Sequence, residues 1–186
     1  MSARLAIERA ARVVRAGGLI AYPTEAVFGL GCLPQDRNAV MRLLAVKRRS
    51  WRKGLILIGA SVAQIERFVV LPPEPLRSEV LSSWPGPVTW VLDARRKAPR
   101  WIGGNRRSIA VRVTAHPVAN RLCARVGKAI VSTSANVSRR PPHRQILRLR
   151  RDLGRAVDYV LAGALGELAN PTPIRDGRSG RVLRQG

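Results

Sequence analysis

The residue types able to do chemistry in this sequence are lysine, arginine, serine, threonine and asparagine, gathered in three short segments. The first is Tyr22-Pro23-Thr24-Glu25-Ala26-Val27-Phe28-Gly29-Leu30-Gly31, where glycines let backbone approach a ligand closely. The second is Lys47-Arg48-Arg49 followed by Lys53-Gly54, and the third is Ser132-Thr133-Ser134-Ala135-Asn136. Arginine forks onto oxyanions, lysine acts as a point charge, and hydroxyls and amides give directional hydrogen bonds. Such a set binds phosphate and carboxylate rather than moving protons. It suits a reaction catalysed by positioning and charge stabilisation, of which phosphoryl and nucleotidyl transfer are examples.

Other chemistries are poorly supplied. No GxxxxGK[ST], GxGxxG, HExxH, CxxC or GxSxG pattern occurs. The two histidines, His116 and His143, each adjoin a proline, where a cap or loop role is expected. Among 11 acidic residues, Glu25 is the only one inside a distinctive loop. Cys32 and Cys123 form neither a metal-ligand spacing nor a disulfide framework and read as buried thiols. The N-terminus lacks the apolar stretch of a signal peptide, and no apolar run is long enough to span a bilayer. A cytoplasmic protein is expected. Against the 11 acids stand 34 lysines and arginines, a formal net charge of +23. That excess fits either a polyanionic partner or substrate, such as ATP or RNA, or a solvated arginine-biased surface.

The elements that must position these segments follow from periodicity. Residues 3–15 read as an amphipathic helix ended by Gly17-Gly18. A helix capped by Asp36 or Asn38 carries Val40, Leu43 and Leu44 and delivers Lys47 and Arg49 at its end. Ser61 to Phe68 reads as a helix with Ser61 and Gln64 at capping-box spacing, and His116 to Val126 as another. Residues 19–22, 55–58, 88–92, 108–113 and 129–131 read as strands, while Thr24 to Pro34 reads as a glycine-rich loop. Tyr22, Phe28 and Trp84 are expected in the core or a cavity wall. The class is α/β, bordering on α+β, in a single domain spanning 1–186.

Together the segments resemble the YrdC (TsaC) family. The loop is similar to its PTE-x-x-[FY]-G-L-G segment, Lys47-x-Arg49 to its KxR and Ser134-x-Asn136 to its SxN. Trp84 to Thr89, Ala110 to Pro117 and Ile174-Arg175-Asp176 also match, so the resemblance covers nearly the whole chain and is nearest the short bacterial type. It implies a YrdC/RibB-like twisted mixed sheet flanked by helices, with an open basic cavity. It also implies a threonylcarbamoyl-adenylate synthase acting on L-threonine, bicarbonate and ATP with magnesium. Proteins of the TsaB, TsaD and TsaE type would then carry the group to tRNA, which the chain itself could contact. By the resemblance, Lys47 and Arg49 hold the triphosphate with help from Lys53. Ser134 and Asn136 bind nucleotide or order the carbamate. Arg112 grips the threonine carboxylate, while Thr24, Thr114 and Ser132 line the threonine side.

Two departures stand out. Arg139 follows Val137-Ser138 where the family often has glycine, and Leu55 to Ile58 lacks a histidine found in longer relatives. Two other readings stay open. One is a carbamoyl-adenylate maker like the YrdC-like part of hydrogenase maturation proteins, against which two lone cysteines argue. The other is an RNA-binding or ribosome-maturation protein without catalysis, for which the charge and the runs Arg95 to Arg107 and Arg139 to Arg151 speak.

Overall fold

A computed structural model describes residues 2–186. Ten strands form one mixed sheet: β1 (Ile20–Pro23), β2 (Phe28–Gly31), β3 (Ile56–Gly59), β4 (Val69–Val70), β5 (Thr89–Ala94), β6 (Ser108–Val113), β7 (Ile130–Ser134), β8 (Tyr159–Val160), β9 (Ile174–Asp176) and β10 (Val182–Arg184). Their order is β10-β9-β5-β6-β3-β7-β2-β1-β8, with β4 beside β5. The pairs β3/β6, β5/β9 and β1/β8 are parallel and the others antiparallel. Helices are α1 (Ala3–Arg15), α2 (Arg37–Lys47), α3 (Val62–Ile65), α4 (Leu76–Ser82), α5 (Arg100–Gly103), α6 (Pro117–Val126) and α7 (Ile146–Leu153).

Strand alternation sorts the core into two faces. Ile20, Tyr22, Ile58 and Ile130 point to one side, where Ile7, Ala10, Ala11 and Val14 of α1 meet Ala119, Leu122, Cys123 and Val126 of α6. Ala21, Leu57 and Val131 point to the other, against Val40, Leu43 and Leu44 of α2 and Leu149 and Leu153 of α7. Both cysteines are buried free thiols, and burial pushes each up to about 12, so they are packing groups at neutral pH. Asp36 caps α2 through Ala39 N–H at 3.0 Å, and the His116 ring accepts from Ala119 N–H at 3.4 Å to cap α6. His116 is therefore a cap, as its neighbouring proline implied.

Two expectations need correction. The stretch from Thr24 to Pro34 is not all loop, because Phe28–Gly31 is a buried strand between β1 and β7. Its glycines answer to close packing: a Cβ on Gly31 would lie 2.8 Å from both the Tyr22 ring and the Val131 carbonyl. The Ser61–Phe68 helix is one turn, Val62–Ile65, before the chain enters β4. Ser61 makes no side-chain cap bond. Gln64 instead accepts from Ala60 N–H and donates to Cys123 O, which fixes α3 to α6 rather than lengthening it.

Candidate active site

The three segments converge on one cleft of about 310 Å³. The antiparallel β2/β7 pair sets Gly29 opposite Ser134 and Leu30 opposite Thr133. The β3/β6 and β3/β7 pairs bring Arg112 and Ser132 into the same neighbourhood. Of the residues expected at the site, Thr24, Arg49, Arg112, Ser132 and Ser134 line this cleft. Lys53 lines an adjoining hollow that shares Arg49, Gly54 and Arg184 with it. Thr114, Lys47 and Asn136 do not line it.

Arg112 is buried and its fork is largely spent. One amino group donates to Thr89 Oγ1 (3.1 Å) and Thr172 Oγ1 (2.9 Å), and the other to Glu25 Oε2 (2.9 Å). Thr114 Oγ1 donates to the second Glu25 oxygen at 2.6 Å. Thr114 thus serves the Glu25 carboxylate and sits wholly inside the protein. The bidentate carboxylate grip that arginine chemistry suggested meets a guanidinium already paired with a protein carboxylate, and Nε is its one nitrogen without a partner.

Arg49 donates one N–H to Gly54 O at 3.1 Å, and its Nε is buried without a partner. Burial holds its guanidinium below the ordinary value. Among the described residues, three buried side-chain polar atoms lack a partner, and two are Arg49 Nε and Arg112 Nε. Buried donors are normally paired, because an unpaired one costs about 1–3 kcal/mol. Both arginines also line the cleft, beside Arg184 and the hydroxyls of Thr24, Ser132 and Ser134, a donor-rich wall suited to an anion.

Lys47 is 3% exposed. Its ammonium donates to Ser134 O, Asn136 O (2.9 Å) and Asn136 Oδ1 (3.1 Å). Burial, and secondarily the Arg49 charge, lower it from 10.5 to about 8. Between these two values the unfolded chain holds a proton that the folded protein lacks. Stability therefore rises with pH across that window and is flat below it. Wild type should gain stability relative to Lys47→Met between pH 8 and 10, as urea unfolding at several pH values would measure.

The sequence reading missed Arg184 and Thr172. Both line the cleft, and Arg184 donates to Thr172 O at 2.7 Å. Arg184 arrives on the last strand, held beside β9 and thereby beside β5. Partial burial, then Arg112, lowers its pKa. The only signal for it lay in the match of the tail segment. The cleft walls hence carry three guanidiniums, Arg49, Arg112 and Arg184, and no carboxylate. Glu25, tied to Arg112, does not line the cleft.

This cleft, lined by Thr24 of the Pro-Thr-Glu segment, Arg49 and Ser134, carries motif residues of one family. The Sua5/YciO/YrdC family model, described as "Telomere recombination", matches residues 12–186. The chain belongs to this family. It is 53% identical over 179 residues to a protein of Halorhodospira halophila named threonylcarbamoyl-AMP synthase, covering 96% of this chain and 94% of that one. The structure of P. abyssi Sua5 complexed with L-threonine superposes with a TM-score of 0.89 at 32% identity. It covers 96% of this chain, which spans 53% of the Sua5 chain. E. coli YciO superposes with a TM-score of 0.85 at 26% identity, over 100% of this chain and 90% of that one.

Proposed function

We propose that the chain is a threonylcarbamoyl-AMP synthase working in the arginine-lined cleft. The observation that carries this reading is the gathering of Arg49, Arg112 and Arg184 with the hydroxyls of Thr24, Ser132 and Ser134 on one cavity that no acid lines. The name of the Halorhodospira halophila relative supports it. Threonine nitrogen and bicarbonate carbon join as a carbamate with loss of water. A carbamate oxygen then bonds to the α-phosphorus of ATP, and the bond to the β-phosphate oxygen breaks to release pyrophosphate. No protein nucleophile is needed. Arg49 and Arg184 offset charge on the departing pyrophosphate, and Lys53 lies close by to assist. Arg112 supplies positive charge toward the threonine carboxylate, while Thr24, Ser132 and Ser134 border the reacting groups. Magnesium is expected to arrive on the phosphates, because no carboxylate lines the cleft and the nearby Glu25 is committed to Arg112.

Among the described residues, no helix is long and apolar enough to cross a membrane. A cytoplasmic setting and hand-over to TsaB-, TsaD- and TsaE-type proteins complete the reading. Contact with tRNA is favoured by one further feature. A basin of about 840 Å³ is lined by Arg95, Arg96, Arg100, Arg106 and Arg107 with no acid, and by Trp51. Replacing Arg96, Arg100 and Arg107 together by serine should weaken tRNA binding. The log–log salt slope should shrink by roughly 0.7–0.9 for each phosphate no longer neutralised. Pyrophosphate release should be unaffected, as filter binding and a coupled assay would read.

Pyrophosphate release from ATP with magnesium tests the proposal. Release that requires both threonine and bicarbonate supports it. Release indifferent to threonine, or none at all, overturns it.

A further inference from the structure

We infer that Lys47 is a positioning residue that holds the turn from Ser134 to Ser138 in shape, and is not a ligand of the nucleotide. The inference rests on the synthase reading only for its kinetic consequence.

The geometry points one way. An ammonium has three hydrogens, and Lys47 faces three acceptors, all on this turn: Ser134 O, Asn136 O and Asn136 Oδ1. The same residue's backbone carbonyl accepts from Ser138 N–H at 2.9 Å. Lys47 thus holds the turn from both its side chain and its main chain. Asn136 completes the set. Its Oδ1 also accepts from Ser134 Oγ at 2.6 Å, and its Nδ2 donates to Arg140 O. Neither Lys47 nor Asn136 lines the cleft, whereas Thr133, Ser134 and Pro142 of the same segment do. The side chains read from sequence as phosphate ligands are engaged with one another.

The turn needs such restraint. Arg139 has φ of 69°, a left-handed conformation that is strained for a residue carrying a Cβ. It stands near where related sequences often carry glycine. A strained backbone persists only where its surroundings over-determine it. The ties from Lys47 and Asn136, with Ala135 N–H to Phe28 O at 2.7 Å and His143 N–H to Ala135 O at 3.3 Å, supply that. The chain beyond the turn then returns Pro142 to the cleft wall. All the acceptors of Lys47 are neutral, so its charge is not cancelled locally and adds to the field over the cleft. Arginine could not replace it, because a planar fork cannot aim three hydrogens from one atom at three acceptors.

The test uses the full chain, Lys47→Met, Lys47→Arg and a non-hydrolysable ATP analogue with magnesium. Backbone amides of residues 135–138 should exchange at least ~10-fold faster in both variants. Affinity for the analogue should stay within about 3-fold of wild type while kcat for pyrophosphate release falls roughly 100-fold, in Lys47→Arg as well as Lys47→Met. Loss of analogue affinity by ~100-fold with unchanged exchange over 135–138 would overturn the inference. So would full rescue of kcat by arginine. If the variants do not fold, ¹⁵N-lysine-labelled wild type decides: the Lys47 ammonium signal should be protected from solvent and move little on adding the analogue. A large shift toward phosphate contact would refute positioning. Exchange and analogue binding are read without turnover, so absence of synthase activity would sink the functional proposal and leave this test standing.

Discussion

Arg49→Ala is expected to cut pyrophosphate release about 100- to 1,000-fold, the usual cost of one preorganised donor to developing charge. Arg49 is fixed by a single bond to Gly54 O, lines the cleft and keeps a buried Nε without a partner. Its removal also takes away a buried unsatisfied donor, so thermal stability should change by less than about 1 kcal/mol. The loss should therefore be kinetic, with an intact melting transition. Arg49→Lys should recover at most about 10-fold, because a point charge does not reproduce the planar N–H edge. Steady-state kinetics beside a melting curve separate these outcomes. A stable Arg49→Ala enzyme with near-normal kcat/KM for ATP would remove Arg49 from the site.

Arg112→Met should instead unfold the protein early, by about 3–5 kcal/mol, as breaking one partner of a buried ion pair does. Arg112 and Glu25 are 4% and 8% exposed and 2.9 Å apart. Without Arg112, the Glu25 carboxylate keeps only the Thr114 hydroxyl. Glu25→Leu should be comparably costly, since it leaves a buried guanidinium held by Thr89 and Thr172 alone. The double variant Glu25→Leu/Arg112→Met should be more stable than the sum of the two changes predicts, by about 2 kcal/mol or more, because no charge is stranded. For a chain of this size each kcal/mol moves the melting midpoint by roughly 2–4 °C, which calorimetry resolves. All three variants should lose threonine-dependent turnover. Strict additivity in the cycle would mean the pair is not coupled as drawn.

How much of this was legible in the sequence depended on the range of the contacts involved. Local signals worked. The amphipathic spacing in residues 3–15 and the Asp36 cap marked α1 and α2, and the β-branched runs marked β3, β6 and β7. β2 was hidden because Phe28-Gly29-Leu30-Gly31 has poor strand propensity. Its glycines are required by the Tyr22 ring and β7, a tertiary demand that no local window contains. The site divided in the same way. Residue types suited to anion binding singled out Arg49, Arg112, Ser132, Ser134 and Thr24, and these do share a cleft. Whether a given side chain faces that cleft depends on remote partners. Lys47 is held by atoms 87 and 89 residues away, and Arg112 by Glu25 at a separation of 87. Arg184 enters only because the terminal hairpin docks beside β5, which nothing near Arg184 announces.

The most direct test of the central claim is the product itself. Incubation of the purified protein with ATP, magnesium, L-threonine and ¹³C-bicarbonate, followed by mass spectrometry, should reveal threonylcarbamoyl-AMP one mass unit heavier than with unlabelled bicarbonate. Its formation should fall with Arg49→Ala. Pyrophosphate release without a labelled adenylate, or an adenylate free of the bicarbonate carbon, would contradict the assignment of this cleft to carbamate adenylation.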